Sequence, residues 1–150
     1  MSDDLYERDV LTWAERQADL LRRVADGERL NETVDWPHVI DEVQDVGLSE
    51  LRACESLLRQ ALVHLLKLLA FPDGSAAHWR SEMIGFLADA QARFTPSMRQ
   101  RIDLDALYAK ALRQVRAGEN PPGLLETCPF TLDMLLADDV DVGAWIARLG

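Results

Sequence analysis

Residues 49–70 read SELRACESLLRQALVHLLKLLA, and this stretch carries the strongest structural signal in the chain. Ser49 is a good N-cap residue, and the segment 72–75 after the stretch contains the proline and glycine that commonly end helices. Between these limits, apolar residues repeat at helical spacing in two adjacent rows, which are Leu51, Cys54, Leu58, Leu62, Leu65 and Leu69, and beside them Leu57, Ala61 and Leu68. So wide an apolar face predicts the central helix of the fold.

The rest of the chain also has helical periodicity. Further helices are expected at 6–24, from Pro37 to Val46, and at 77–93, 96–101, 104–115 and 132–136. No alternating apolar–polar run longer than about four residues is present, and no internal repeat is visible. We therefore predict an all-α fold, a single-domain helical bundle of about five to seven helices over residues 1–150 with its central helix at about 49–70. The tail 136–150 either folds back on the bundle or presents Trp145 to a partner.

The stretch VDWPHVIDEVQDVG, residues 34–47, predicts the second helix. Pro37 suits a first helical turn, and Asp35 is a better N-cap residue than Trp36. The spacing predicts a buried stripe that consists of Trp36, Val39 or Ile40, Val43 and Val46. Gly47 ends this helix as a C′ glycine, or it kinks one long helix that continues into residues 49–70.

Charge and composition limit the classes of function. The chain has 16 basic and 26 acidic residues, a net charge of −10. Nucleic-acid binding is disfavoured because it requires clustered Lys and Arg, whereas a basic protein partner or a cation is compatible with this charge. The longest apolar runs fall well short of the ~20 residues of a membrane span, and the N-terminus lacks the basic and apolar regions of a signal peptide. The expected location is the cytoplasm, with no membrane association.

Four polar residues of the second helix share one face. Asp35, His38, Glu42 and Asp45 follow each other at steps of three, four and three residues, so they could converge on a cation. If the second and central helices formed an antiparallel hairpin, His64 would lie near His38 and Asp35. These five residues are the candidate metal ligands. The alternative is a solvated helix face with Asp35 as a cap, and a His64 at the core edge bonded to a carboxylate or carbonyl. No cofactor is predicted, with a divalent metal as the alternative.

The stretch ETCPFTLDMLL, residues 126–136, predicts a short closing helix. Thr131 is a good N-cap residue, and Asp133 lies in the first turn, where a carboxylate favours the helix dipole. Cys128 lies in the preceding turn and is either structural or a thiolate activated by the helix N-terminus. The chain has two cysteines and no CxxC motif, so neither a disulfide framework nor a thiolate zinc site is expected.

Several motifs together resemble a known bacterial family. They are YERD (6–9), DWPHVIDEVQDVGLSE (35–50), HLLK (64–67) and TCPFTLDMLL (127–136). In their order and spacing they look like the bacterial domain-of-unknown-function family 29, over nearly the whole chain from Tyr6 to about Leu136. The resemblance implies an all-helical fold and no established activity. Position 38 is not usually histidine in that family, which argues against His38 and His64 as a metal pair common to its members.

Three hypotheses for function remain from the sequence. The motifs GxGxxG, GxxxxGK[ST], HExxH and GxSxG do not occur, which disfavours the common nucleotide-binding and hydrolase mechanisms. The biochemical activity is therefore unknown, and the first hypothesis is a small acidic protein-binding or regulatory module. The second is a metal-binding or enzymatic helical bundle that uses His64 with nearby carboxylates. The third is a structural homo-oligomer.

Overall fold

The computed structural model describes residues 5–71 and 75–149, the side chains of residues 148 and 149 excepted. Within these residues the chain forms α-helices and one short 3-10 helix at Pro96–Met98, and no strand. The prediction of an all-α fold is confirmed. The helices are α1 (Leu5–Arg8), α2 (Val10–Ala25), α3 (Trp36–Ala70), α4 (Ala76–Arg93), α5 (Leu104–Gly118), α6 (Leu132–Leu135) and α7 (Val142–Leu149).

The chain divides into two compact units, Met1–Leu48 and Ser49–Gly150. The boundary between them falls within α3, so this helix supplies residues to both units. The prediction of a single domain over residues 1–150 stays a prediction.

The core of the second unit is built around the second part of α3. Cys54, Leu58, Leu62 and Leu65 of the first predicted row are fully buried, and Ala61 and Leu68 of the second row join them. The buried residues that pack around them come from α4 and α5, among them Met83, Leu87, Leu107, Tyr108 and Ala111. The prediction of a central helix is thus confirmed. Its two adjacent apolar rows form a wide face, and a face of this width needs packing partners on two sides.

The closing segment of the chain completes this core. The Thr131 hydroxyl accepts a hydrogen bond from the Met134 N–H at 3.2 Å, which caps α6, and Leu135 is buried. In α7, Val142 and Trp145 are buried, and the Trp145 ring lies 5.4 Å from that of Phe130. Of the two alternatives for the tail, folding back is therefore the one found.

The first unit differs from its sequence prediction in two ways. The single helix expected at 6–24 is divided at Asp9, because the Asp9 carboxylate accepts a hydrogen bond from the Thr12 N–H at 3.1 Å and begins a new helix there. The buried residues of α2 are Trp13, Gln17 and Leu20, whereas Val10 is mostly exposed. The periodicity of the sequence predicts a stripe here of Val10, Trp13, Ala14, Gln17, Leu21 and Val24, which is right at Trp13 and Gln17 and wrong at Val10 and Ala14.

Gly47 neither ends a helix nor begins a hairpin. A C′ glycine has a left-handed backbone, and among the described residues only Gly27 and Gly123 have a positive φ. Gly47 lies inside α3, which is continuous from Trp36 to Ala70. The two separate helices expected around Gly47 were wrong, and the alternative of one long helix is the structure found. A glycine costs about 1 kcal/mol within a helix relative to alanine.

Gly47→Ala should stabilise the protein by about 0.5–1 kcal/mol, because alanine favours the helical backbone and restricts the unfolded chain. A Cβ at position 47 would meet no atom within 4 Å, so no clash opposes the gain. Urea unfolding followed by circular dichroism measures the change. The matched control is Gly27→Ala, which should destabilise, since Gly27 has φ +96°. A destabilised Gly47→Ala variant would contradict a continuous α3.

Candidate functional site

Asp35 is the centre of a polar and aromatic cluster in the first unit. Its carboxylate accepts hydrogen bonds from the Trp13 indole N–H at 3.0 Å and from Nδ1 of His38 at 2.7 Å. Its backbone N–H donates to Oε1 of Gln17 at 2.8 Å. Because Trp13 and Gln17 belong to α2 and His38 to α3, one residue fixes the start of α3 against α2.

Tyr6 covers this cluster from α1. Its ring stacks on the His38 imidazole with centroids 3.9 Å apart and an interplanar angle of 15°. The same ring meets Trp13 edge-on at 4.9 Å. The phenol donates a hydrogen bond to Oε1 of Glu42 at 2.5 Å, so α1 is held about two turns further along α3 than Asp35.

The cluster changes the acidity of two of its members. Partial burial alone would raise the pKa of Asp35, but the hydrogen bonds from His38 and Trp13 outweigh it and hold that pKa below its usual value. The hydrogen bond to Glu42 raises the pKa of Tyr6 to about 12, since the carboxylate accepts from the neutral phenol and repels the phenolate. Asp35 is thus kept ionised and Tyr6 is kept neutral at physiological pH.

The predicted metal ligands of the second helix share a face, but two of their carboxylates already accept hydrogen bonds from aromatic side chains. The Asp35 carboxylate is hydrogen-bonded to Trp13 and His38, and the Glu42 carboxylate accepts a hydrogen bond from Tyr6. Asp45, on the same face by spacing, is exposed. In the ranges 5–71 and 75–149, no group of three or more His, Cys, Asp or Glu side chains is arranged to hold a metal ion.

His64 lies in the second unit and does not share a hairpin with His38, because α3 is continuous. Its Nδ1 lies 2.8 Å from the carbonyl oxygen of Gln60, one turn earlier, and its ring lies 5.2 Å from that of Phe86. This is the alternative considered from the sequence, a core-edge histidine bonded to a carbonyl. The metal hypothesis placed His64 near His38 and Asp35 by means of a hairpin. That hairpin was wrong, because His64 and His38 belong to one continuous helix.

The apolar stripe predicted to be buried in the second helix is exposed. The exposed fractions are 38% for Trp36, 61% for Ile40, 70% for Val43 and 69% for Val46. At 100° per residue, Trp36, Ile40 and Val43 point roughly 145° away from the mean direction of Asp35, His38, Glu42 and Asp45 around the helix, whereas Val46 lies only about 60° from that direction. The prediction of burial was wrong because α1 and α2 hold the polar face of α3 through Asp35 and Glu42.

We call Trp36, Ile40, Val43 and Val46 the α3 stripe. The part of the chain that contains it, from the loop before α3 to Leu48, has charges of one sign. From Leu30 to Leu48 the sequence contains five acidic residues and no Lys or Arg. Trp36, Ile40 and Val43 follow each other at steps of four and three residues, the spacing of a seam for another helix. The α3 stripe is thus an exposed apolar row in an acidic part of the chain.

The two cysteines are poor nucleophiles. Burial raises the pKa of the Cys54 thiol, which is fully enclosed and donates weakly to the Ala90 carbonyl oxygen at 3.6 Å. Burial also raises the pKa of the half-buried Cys128, whose Sγ lies 3.5 Å from the carbonyl oxygen of Phe130. Of the alternatives for Cys128, the structural role fits these surroundings, because a reactive cysteine needs a lowered pKa.

No helix in the described part of the chain has a stretch both long and apolar enough to cross a membrane.

Glu42→Gln should lower the pKa of Tyr6 from about 12 toward its ordinary value of 10.0, because the charge that opposes the phenolate is removed. The Cζ chemical shift of Tyr6, followed by NMR from neutral to alkaline pH, measures the change. Asp41→Asn is the matched control, since Asp41 is an exposed carboxylate adjacent to Glu42 in the chain and should leave Tyr6 unchanged. An unchanged Tyr6 titration in Glu42→Gln would show that the hydrogen bond does not form.

Comparison with known proteins gives a family and a solved relative. A search of curated proteins finds no significant match. An alpha-helical protein of unknown function from Rhodospirillum rubrum, solved by crystallography, is 33% identical over 97% of each chain, with a TM-score of 0.73. The model of the domain of unknown function DUF29 matches residues 5–140. The resemblance inferred from the sequence motifs is therefore confirmed, and the chain belongs to the DUF29 family.

Proposed function

We propose that this chain is a protein-binding module whose α3 stripe docks a basic amphipathic helix of a partner protein. The observation that carries the proposal is the exposure of Ile40, Val43 and Val46 in one row, with Trp36 at its start. Single exposed apolar residues are normal on protein surfaces, but contiguous ones commonly mark an interaction site.

The geometry of the stripe favours a helical partner. Anchors at steps of three and four residues match those that an amphipathic helix presents along one face. Trp36 adds a large aromatic anchor, and its indole N–H is already satisfied by the carbonyl oxygen of Asn31 at 2.7 Å. Burying the ring against a partner would therefore leave no polar atom of Trp36 unpaired.

The charge on α3 favours a basic partner over a second copy of this chain. Two copies meeting through their stripes would bring two acidic segments together, because residues 30–48 contain five acidic residues and no Lys or Arg. Like charges at an interface oppose association, whereas Lys or Arg on a partner would be attracted. The homo-oligomer hypothesis is therefore placed second and is an outcome of the test below.

The proposed location of this module is the cytoplasm. Cys54 and Cys128 are free thiols, which a reducing compartment maintains.

The test uses two synthetic amphipathic helices with leucine at a and d positions, one with lysine and one with glutamate at e and g. Fluorescence anisotropy of each labelled peptide measures its affinity for the full chain. The lysine peptide should bind about tenfold or more tightly than the glutamate peptide at low salt, and added salt should reduce the difference.

The double variant Ile40→Gln/Val43→Gln should weaken binding of the lysine peptide at least about tenfold, because two apolar anchors are lost without a change of charge. Ile84→Gln is the matched control, since Ile84 is an exposed isoleucine of the second unit. Equal binding of both peptides, or full binding by the double variant, would overturn the proposal. Light scattering measures the oligomeric state. If the wild type were a dimer and the double variant a monomer, the α3 stripe would bind a second copy of this chain instead of the proposed partner.

A further inference from the structure

The second unit contains a cavity of about 480 Å³ that the docking proposal does not involve. It lies between the end of α3, the start of α4 and the end of α5, and two buried residues, Val63 and Val115, form part of its lining. Pockets that bind small molecules have volumes of about 300–1,000 Å³ and are mostly apolar with a few polar groups. The cavity fits this description in both size and composition.

Two aromatic rings line the same cavity. Phe71 follows α3 and Trp79 lies in the first turns of α4, with ring centroids 6.2 Å apart and an interplanar angle of 58°. The helical spacing of apolar residues in 77–93 predicts a core position for Trp79, but its side chain is only half-buried. Aromatic faces that border a cavity offer stacking or edge contacts to a planar ligand.

Lys67 supplies the cationic group of the cavity. Its Nζ lies 6.0 Å from the centroid of the Trp79 ring, at the limit of a cation–π contact. No carboxylate within residues 5–71 and 75–149 forms an ion pair with it. A half-buried ammonium group beside aromatic rings therefore has capacity for an anionic partner.

The remaining polar groups indicate where a ligand would place its charge. The Gln114 side chain already accepts a hydrogen bond from Arg59 at 3.4 Å. Glu119 follows the C-terminus of α5, so that part of the lining is negative both by its carboxylate and by the helix dipole. An anionic group would be repelled there and attracted at Lys67.

We infer that this cavity binds a small planar aromatic carboxylate, with its ring beside Phe71 and Trp79 and its carboxylate on the Lys67 ammonium group. The site lies on a different unit from the α3 stripe, so each proposal is tested independently of the other.

The test uses three probes that share one ring system: naphthoate, naphthalene methanol and naphthylmethylamine. NMR titration of the full ¹⁵N-labelled chain follows the indole N–H signals of the tryptophans. Naphthoate should shift the Trp79 signal, while those of Trp13 and Trp36, which lie in the first unit, serve as internal controls. Naphthoate should bind about tenfold more tightly than the alcohol, because a charge-assisted hydrogen bond is added, and it should also bind more tightly than the amine.

Lys67→Met should remove the preference for naphthoate over the alcohol, and Lys67→Arg should retain it. The sequence contains only one other lysine, the exposed Lys110, so Lys110→Met is the matched control and should bind like the wild type. An unshifted Trp79 signal, tighter binding of the amine, or an unchanged preference in Lys67→Met would overturn the inference. If Lys67→Met failed to fold, the relative affinities of the three probes for the wild-type chain would still test the inference.

Discussion

Burial of the apolar face of α3 between Cys54 and Leu68 is the constraint on which the second unit depends. The other helices of this unit are shorter, and α6 and α7 have only 4 and 8 residues. Isolated helices below about 12–15 residues are marginal in water, so these two need the core for their stability. Leu135 and Trp145 connect them to it. The wide face of α3 is thus the reason that short helices at the end of the chain can be part of the fold.

The first unit is organised by a different kind of interaction. Its buried residues are few, and one of them, Gln17, is polar. Hydrogen bonds to Asp35 and Glu42 connect α1 and α2 to α3, and the stacked Tyr6 and His38 rings add to them. Because polar contacts determine which face of α3 is covered, the apolar residues on the other side of the helix remain exposed. A small apolar core and an exposed apolar row are therefore two consequences of one arrangement.

DUF29 is a family of unknown function, so a function for this chain has to be inferred from the chemistry of individual residues. Several positions in the motifs that carry the family resemblance have structural roles in this chain. Asp35 and Glu42 hold aromatic side chains, and His64 is bonded to a backbone carbonyl. Lys67 is different, since it borders a cavity without a carboxylate partner in the described residues. The two proposals therefore rest on Lys67 and on the α3 stripe.

The helical class, the central helix and the N-cap at Thr131 were predictable from the sequence, because these features depend on local spacing and capping chemistry. The sequence also predicted that Asp35, His38 and Glu42 share a face, since helical periodicity alone requires this. Only the tertiary structure decided that Tyr6 and Trp13 would be their partners, because contacts between helices have no local signature. The exposure of Ile40 and Val43 was decided in the same way: periodicity shows that a helix has an apolar side, but the packing of neighbouring helices determines which side is covered.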